Sequence, residues 1–327
     1  MDSPKLEQLS FDEYYRRYGV EIELNATDGR SRPPGENLPE GIHYVGSLVS
    51  RTLCVPVEVN KWHHTHHNPV WVIKPDSSCG LEVCSPVSKG RFGMRNICQV
   101  VETLAADSNL SADQRCSLHV HVEVADLTQE ELAAVLAFWI KCEAVFMDSM
   151  PASRKRNRYC QFLGVSELFE HDTEFTPYQL VNKLSGYKYY SINTYHYNKG
   201  KRPTIEFRIT EAAACRDSYI LKNWVRLILH FVEMAKAQPI PGKYREENQW
   251  SSLLWLDPRD VFMLLGFLPG QYNLSPEMEE TREWFLGRLV ANTLHTNLPG
   301  VWTDEARMPA YSEVLSLADA LKLRYHI

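Results

Sequence analysis

Ser117-Leu-His-Val-His-Val-Glu-Val124 alternates without a break. Leu118, Val120, Val122 and Val124 fall on one side of a strand, and His119, His121 and Glu123 fall on the other. Parallel strands, covered on both faces, tend to read apolar throughout, whereas a half-polar strand suits an antiparallel sheet with one covered face. The stretch therefore predicts an antiparallel sheet whose second face carries ionisable groups.

The same design recurs elsewhere in the chain. In Tyr18–Leu24, Val20, Ile22 and Leu24 oppose Glu21 and Glu23. Around Glu82, Leu81 and Val83 take the apolar side. In Thr204–Thr210, Ile205, Phe207 and Ile209 oppose Thr204, Glu206, Arg208 and Thr210. If these strands are neighbours, glutamates, imidazoles and a guanidinium converge on one surface. Each strand alone also reads as a solvated face, and the convergence rests on adjacency that alternation does not fix.

Helical spacing places a buried stripe over 93–107, another after the Thr128–Glu131 capping box to about 147, and a third from Asp217 to about 236. A short amphipathic helix is expected over 5–17. Residues 25–68 read as irregular because Pro33-Pro34-Gly35 and Pro39 punctuate them, with 47–59 readable as either strand or helix. Val70–Pro86 reads as a hairpin turning at Asp76–Gly80. Ala152–Tyr159 reads as a basic loop, and Tyr187–Thr194 as a strand joined to Thr204–Thr210 by a turn near Gly200. Helical segments near 258–266, 276–292 and 311–323 suggest a C-terminal lobe. The expected division is a domain over 1–240 and a helical extension over 241–327.

With 327 residues, 44% apolar and 23% charged, the chain reads as soluble and globular. A formal charge of −6 gives no clear nucleic-acid signal. No apolar run is long enough for a membrane span. The start, MDSPKLEQLSFDEYY, lacks the apolar core of a secretory signal, and the eight cysteines form no C-x-x-C pair. Reduced thiols in a cytoplasmic protein are expected.

Carboxylates crowded on one face resist ionising together, and a divalent cation removes that penalty. Carboxylate oxygens suit Mg²⁺ or Mn²⁺, which also hold substrate phosphates, and an arginine beside them forks onto phosphate. Glu, His and Arg on one sheet face thus point to a metal–nucleotide site.

The motifs Y-G-V-E-I-E-L, W-V-I-K-P-D-S-S, G-L-E-V-C-S-P, C-S-L-H-V-H-V, R-K-R-N-R-Y-C and T-I-E-F-R-I-T occur in an order that resembles the amidoligase family. These are relatives of the carboxylate–amine ligases, the group containing glutamine synthetase and glutamate–cysteine ligase. The resemblance covers about residues 18–235. Ser117 departs from it, since glycine is more usual there, and Glu123 stands where a small residue is more usual. The resemblance implies an α+β fold: a curved antiparallel half-funnel of the glutamine synthetase kind, helices on its convex face. It implies ATP with Mg²⁺ (or Mn²⁺), a carboxylate phosphorylated to an acyl phosphate, and an amine that displaces phosphate. Carried over by position, Glu21, Glu23, Glu82 and Glu206 are metal ligands. His119 and His121 are a metal ligand and a phosphate or nucleotide contact, in either order, and Arg208 clamps the transferring phosphoryl group. Asp76, Asn193 and Lys188 are substrate candidates. Arg154, Arg156 and Arg158 are candidates for phosphate or a substrate carboxylate, with a solvated basic loop as the other reading. The partners implied are a small-molecule or peptide carboxylate and an amine donor.

Trp62-His63-His64-Thr65-His66-His67 reads mainly as a surface loop, with part of the active site or a zinc site as alternatives. Cys79 and Cys84 flank Glu82 and read as structural. Other functions fit the same polar face: a guanidino-kinase-type phosphotransferase, a silent nucleotide-binding module, or a metal-dependent hydrolase using the His pair.

Overall fold

The computed structural model describes residues 16–26, 40–59, 69–155, 157–163, 180–182, 184, 187–198, 200, 202–238, 256–294 and 319. Most of the helix expected over 5–17, the histidines of 63–67, Arg156 and nearly all of 311–323 lie outside the described residues.

The elements run in the order β1 (Tyr18–Ala26), α1 (Glu40–Leu53), β2 (Val57–Val59), β3 (Trp71–Asp76), β4 (Gly80–Cys84), α2 (Gly90–Ala106), β5 (Leu110–Ser111) and β6 (Leu118–Glu123). They continue with α3 (Gln129–Asp148), α4 (Ala152–Lys155), β7 (Ile192–Asn193), α5 (Tyr195–Asn198), β8 (Thr204–Phe207), a 3₁₀ turn (Ala212–Cys215), α6 (Ser218–Lys236), α7 (Pro258–Leu264) and α8 (Pro276–Leu294). The fold is α+β with one eight-stranded sheet, ordered β2-β3-β4-β1-β6-β8-β7, with β5 pairing the end of β1. Every pairing is antiparallel except β2 with β3 at the edge.

The apolar side chains read from the alternation are buried together: Val20, Ile22, Leu24, Leu81, Val83, Leu118, Val120, Val122, Ile205 and Phe207. Helices cover this face. Trp139 of α3 meets Phe207 edge-on at 4.8 Å and stacks on Phe146 at 4.8 Å, and Phe231 of α6 closes the group. Each such ring contributes about 2–3 kcal/mol through burial. The helices after residue 256 join the same core: Phe285 of α8 stacks on Phe146 and on Phe262 of α7.

Thr128 caps α3 through a complete capping box with Glu131. Beyond its first turn this helix is buried all round rather than along one stripe, so its polar side chains need partners. Glu143 accepts from the Leu163 amide, at 3.0 Å to Oε2, and from the Ser191 hydroxyl, and Lys155 reaches Asp148 at 2.8 Å.

Three expectations need correction. Glu40–Leu53 is a helix, so 40–46 is not irregular, and the open reading of 47–59 resolves to helix as far as Leu53 and strand at Val57–Val59; Gly41 and Gly46 interrupt the helical spacing in the sequence. The strand expected over Tyr187–Thr194 shrinks to Ile192–Asn193, and the backbone just before it bonds to Gln161 instead, through the Tyr189 carbonyl at 2.7 Å and the Ser191 amide at 2.9 Å. Arg154 does not lie in a solvated loop. It sits in α4, 2% exposed.

Candidate active site

Strand register brings the predicted side chains into rows across the polar face. Glu21 of β1 stands opposite His119 of β6 on one side and Cys84 of β4 on the other. Glu23 stands opposite Glu82, and Glu82 opposite Lys74. His121 stands opposite Glu206, and Glu206 opposite Asn193. Groups far apart in sequence thus meet because a strand pair sets its facing side chains about 5 Å apart.

His119 is the hub. Its Nδ1 lies 3.3 Å from Oε2 of Glu21 and 3.3 Å from Oε1 of Glu206, and its Nε2 lies 3.6 Å from Oε1 of Glu23. His121 Nε2 lies 3.2 Å from Oε1 of Glu21. Asn193 Nδ2 donates to Oε2 of Glu206 at 2.9 Å, and Arg208 donates to its Oε1. Arg208 Nε also donates to the Tyr159 carbonyl at 3.1 Å. All these residues are buried or nearly so.

The electrostatics divide the carboxylates. Burial pushes Glu23 well up, and the charges of Asp76 and Glu82 add to it. Burial and the Glu21 charge likewise lift Glu82 to about 8. For Glu206 burial works upward too, but Arg208, His121 and His119 outweigh it and hold the group down at about 2. Glu21 is held well below the usual carboxylate range, because His121, Lys74 and His119 overcome its burial. Burial and the Arg208 charge push His119 down, favouring the neutral ring, whereas Glu21 and Glu206 overcome burial to push His121 up.

Three sets of side chains bring ligand atoms within 4.8 Å of one another: Glu21, His119 and Glu206; Glu21, Glu82 and Cys84; and Glu23, Asp76 and Cys79. The first set, two hard carboxylates and a neutral imidazole, fits a divalent ion such as Mg²⁺ or Mn²⁺; the other two sets each pair two carboxylates with a thiol. The buried Nδ1 of His121 has no hydrogen-bond partner among the described residues, which fits a ring that completes its contacts only with a ligand.

Some predicted residues stand elsewhere. Arg154 donates to the carbonyls of Ile209 (3.2 Å) and Arg208 (2.8 Å) and to the Ser117 hydroxyl (3.0 Å). It braces the chain beyond β8, where Ser117 Oγ also donates to the Thr210 carbonyl at 2.9 Å. Arg158 is exposed and lies over the Tyr159 ring, and the Lys188 ammonium lies over the Tyr189 ring. Glu123 leaves the cluster to pair with Arg17. Asp76 caps its own turn, accepting from the Ser78 amide at 2.6 Å, and still belongs to the third donor set.

Two functional-site side chains escaped the sequence reading. Lys74 pairs with Glu82 at 3.0 Å. The alternation of β3, with Trp71 and Ile73 on the covered side, would have found it. His196 of α5 places its ring 6.0 Å from that of His121. Burial and the His121 charge push it down to about 4, and no sequence pattern marks it.

The family described as "Putative amidoligase enzyme" matches residues 15–232. The chain belongs to this amidoligase family. No match is found among curated proteins. Solved structures similar to this chain include a bifunctional glutathione synthetase from Pasteurella multocida, at 11% identity and a TM-score of 0.41, the match covering 95% of this chain and 49% of that one. A glutamine synthase homolog matches at 13% identity and a TM-score of 0.42, covering 86% of this chain and 66% of that one. The chain thus spans less than two thirds of the length of either.

Proposed function

We propose that this amidoligase couples ATP cleavage to amide formation through an acyl phosphate. The observation that carries the reading is the meeting of Glu21, His119, Glu206 and Arg208 from three strands in one buried cluster. Phosphoryl transfer asks a protein for positioning and charge neutralisation more than for covalent help, and this cluster offers both.

In this reading a substrate carboxylate oxygen attacks the γ-phosphorus of ATP and ADP leaves. The amine then attacks the acyl carbon, the C–O bond to phosphate breaks, and phosphate leaves with that oxygen. Glu21, Glu23, Glu82, Glu206 and the neutral His119 would hold Mg²⁺ or Mn²⁺, which would supply positive charge against the phosphates. Arg208 directs its guanidinium at the transferring phosphoryl group. His121, the more cationic imidazole, contacts phosphate, and Asn193 fixes Glu206. Asp76 lies on the amine side, where a carboxylate attracts an ammonium. Arg158 and Lys188 belong to the outer contacts of the acid substrate. In this reading the catalytic domain is residues 1–240 and 241–327 a C-terminal extension, whose helices α7 and α8 join the core. All eight cysteines are free, in keeping with a cytoplasmic setting, and among the described residues no helix is long and apolar enough to cross a membrane.

The test is a screen of ADP release over pairs of acids and amines, with mass spectrometry for the condensed product. ADP release that no carboxylate ever stimulates would overturn ligation. A stable phosphorylated product with no need for amine would move the chain to phosphotransfer.

A further inference from the structure

Strand β8 lies between two arginines, Arg202 before it and Arg208 after it. The Arg208 charge acts on His119, and the Arg202 charge acts on His121 and His196. The imidazoles therefore divide. His119 belongs to the Arg208 end of the cluster, and His121 and His196 belong to the Arg202 end.

The placement of His196 is built in. Asn193 donates through Nδ2 to Glu206 at 2.9 Å and accepts through Oδ1 from the Tyr195 amide at 3.2 Å. One side chain thus ties the cluster to the first turn of α5. Farther along, Gln129 Nε2 donates to the Tyr197 hydroxyl at 3.1 Å, and Asn198 Nδ2 donates to the Val181 carbonyl at 3.1 Å. With both ends of this short helix held, the His196 ring stands 6.0 Å from that of His121, tilted by 54°. Two ring N–H groups that donate to one oxygen set their centres about 6 Å apart.

A ligand at this place is indicated independently. His121 is 6% exposed, and its Nδ1 has no hydrogen-bond partner among the described residues. Neither His121 nor His196 enters a set of donors converging as a metal would require. The Arg202 guanidinium beside both rings favours an anion over a cation.

We propose that His196, with His121 and Arg202, binds the phosphate next to the transferred one, the β-phosphate that remains in ADP. The transferring group sits at Arg208, and the polyphosphate runs along β8 toward Arg202 with the nucleoside beyond. His196 thus tells nucleoside di- and triphosphates from monophosphates. The inference rests on the reading of the cluster as an ATP site.

The experiment titrates the full chain with nucleotide in Mg²⁺ by calorimetry, with no acid or amine present. His196→Ala is expected to bind ATP and ADP each about tenfold more weakly than the wild type, with AMP affinity unchanged. Burial and the His121 charge push His196 down to about 4, so its ring is a neutral N–H donor at pH 7. His196→Gln keeps such a donor and is expected to stay within about threefold of the wild type. Mn²⁺ binding without nucleotide, followed by paramagnetic resonance, is expected to be the same in His196→Ala as in the wild type. Unchanged ATP and ADP affinity overturns the proposal, and so does a His196→Gln as weak as His196→Ala. A loss confined to ATP overturns it by placing His196 at the transferred phosphate, and an equal loss for AMP by placing it at the nucleoside. A lost Mn²⁺ overturns it by making His196 a metal ligand. Should circular dichroism show His196→Ala unfolded, His196→Phe decides, since it keeps a ring and removes the N–H; the same tenfold loss is expected, and wild-type affinity overturns the proposal. A wild type that binds neither ATP nor ADP overturns the nucleotide reading itself.

Discussion

Replacing Glu206 with glutamine keeps the side chain's shape and removes its charge. The carboxyl ionises at about 2 in the folded protein against 4.5 unperturbed, because Arg208, His121 and His119 outweigh burial. A group lowered on folding lends stability that is present above the unfolded value and lost as pH falls through the folded one. The gap between 4.5 and about 2 is worth about 3 kcal/mol at neutral pH. Breaking a buried ion pair from one side gives a similar size, about 3–5 kcal/mol. Relief of repulsion with Glu21 works the other way and trims the cost. Urea unfolding in EDTA at pH 7 should therefore find Glu206→Gln less stable by about 3 kcal/mol, with the gap closing only below about pH 4.5. Saturating Mn²⁺ at a hundredfold excess over its Kd should add about 2.7 kcal/mol to the wild type and far less to the variant. A variant as stable as the wild type in EDTA would refute the reasoning, since repulsion from Glu21 would then match or exceed the attraction of Arg208 and the histidines.

Arg154→Met leaves two buried carbonyls and a hydroxyl without their charged donor, and should cost about 3 kcal/mol or more in chemical unfolding. Because one of those carbonyls belongs to Arg208, Arg154→Met should also lower ADP release by more than its loss of folded protein, with Arg154→Lys recovering part of it. His230 is buried, donates Nε2–H to the Leu265 carbonyl at 2.6 Å and stacks on Phe267. Burial pushes it down to about 4 against 6.5 unperturbed, so the folded state takes up its proton late and stability falls as pH drops from 6.5 toward 4. Replacing it with glutamine should remove about 3 kcal/mol of that pH dependence, as seen in unfolding curves at several pH values. Thr128→Ala should cost about 1 kcal/mol of thermal or chemical stability through the lost capping box of α3.

The polar face was legible in the sequence because each of its strands repeats a period of two, and core and site follow from the same alternation. Adjacency was not in the alternation; the pairing of Glu21 with His119 and of His121 with Glu206 supplies it. Lys74 was overlooked because carboxylates and imidazoles drew the reading, although Trp71 and Ile73 already fixed its side. Arg154 stood among other basic residues, which suggests a wet loop. Its main-chain partners lie 54 and 55 residues away and the Ser117 hydroxyl 37, which no local pattern records. Helix α1 was hidden by its glycines. At Gly46 a Cβ would come within 3.1 Å of Val59 Cγ2 and 3.7 Å of Ile73 Cγ1, so the gap in the helical pattern serves close packing on the sheet.

The rows that carry Glu21–His119 and His121–Glu206 are set by the same pleat that buries Ile22, Val120 and Ile205. Inserting or deleting a single residue within β1, β6 or β8 would exchange the two sides of that strand, sinking its ionisable groups into the helical layer and lifting its aliphatic ones into the cluster. A one-residue length change inside these strands therefore needs a bulge to restore the two faces. New substrate preferences in this lineage should accordingly arise by altering the connections between strands, while the strands themselves keep their lengths.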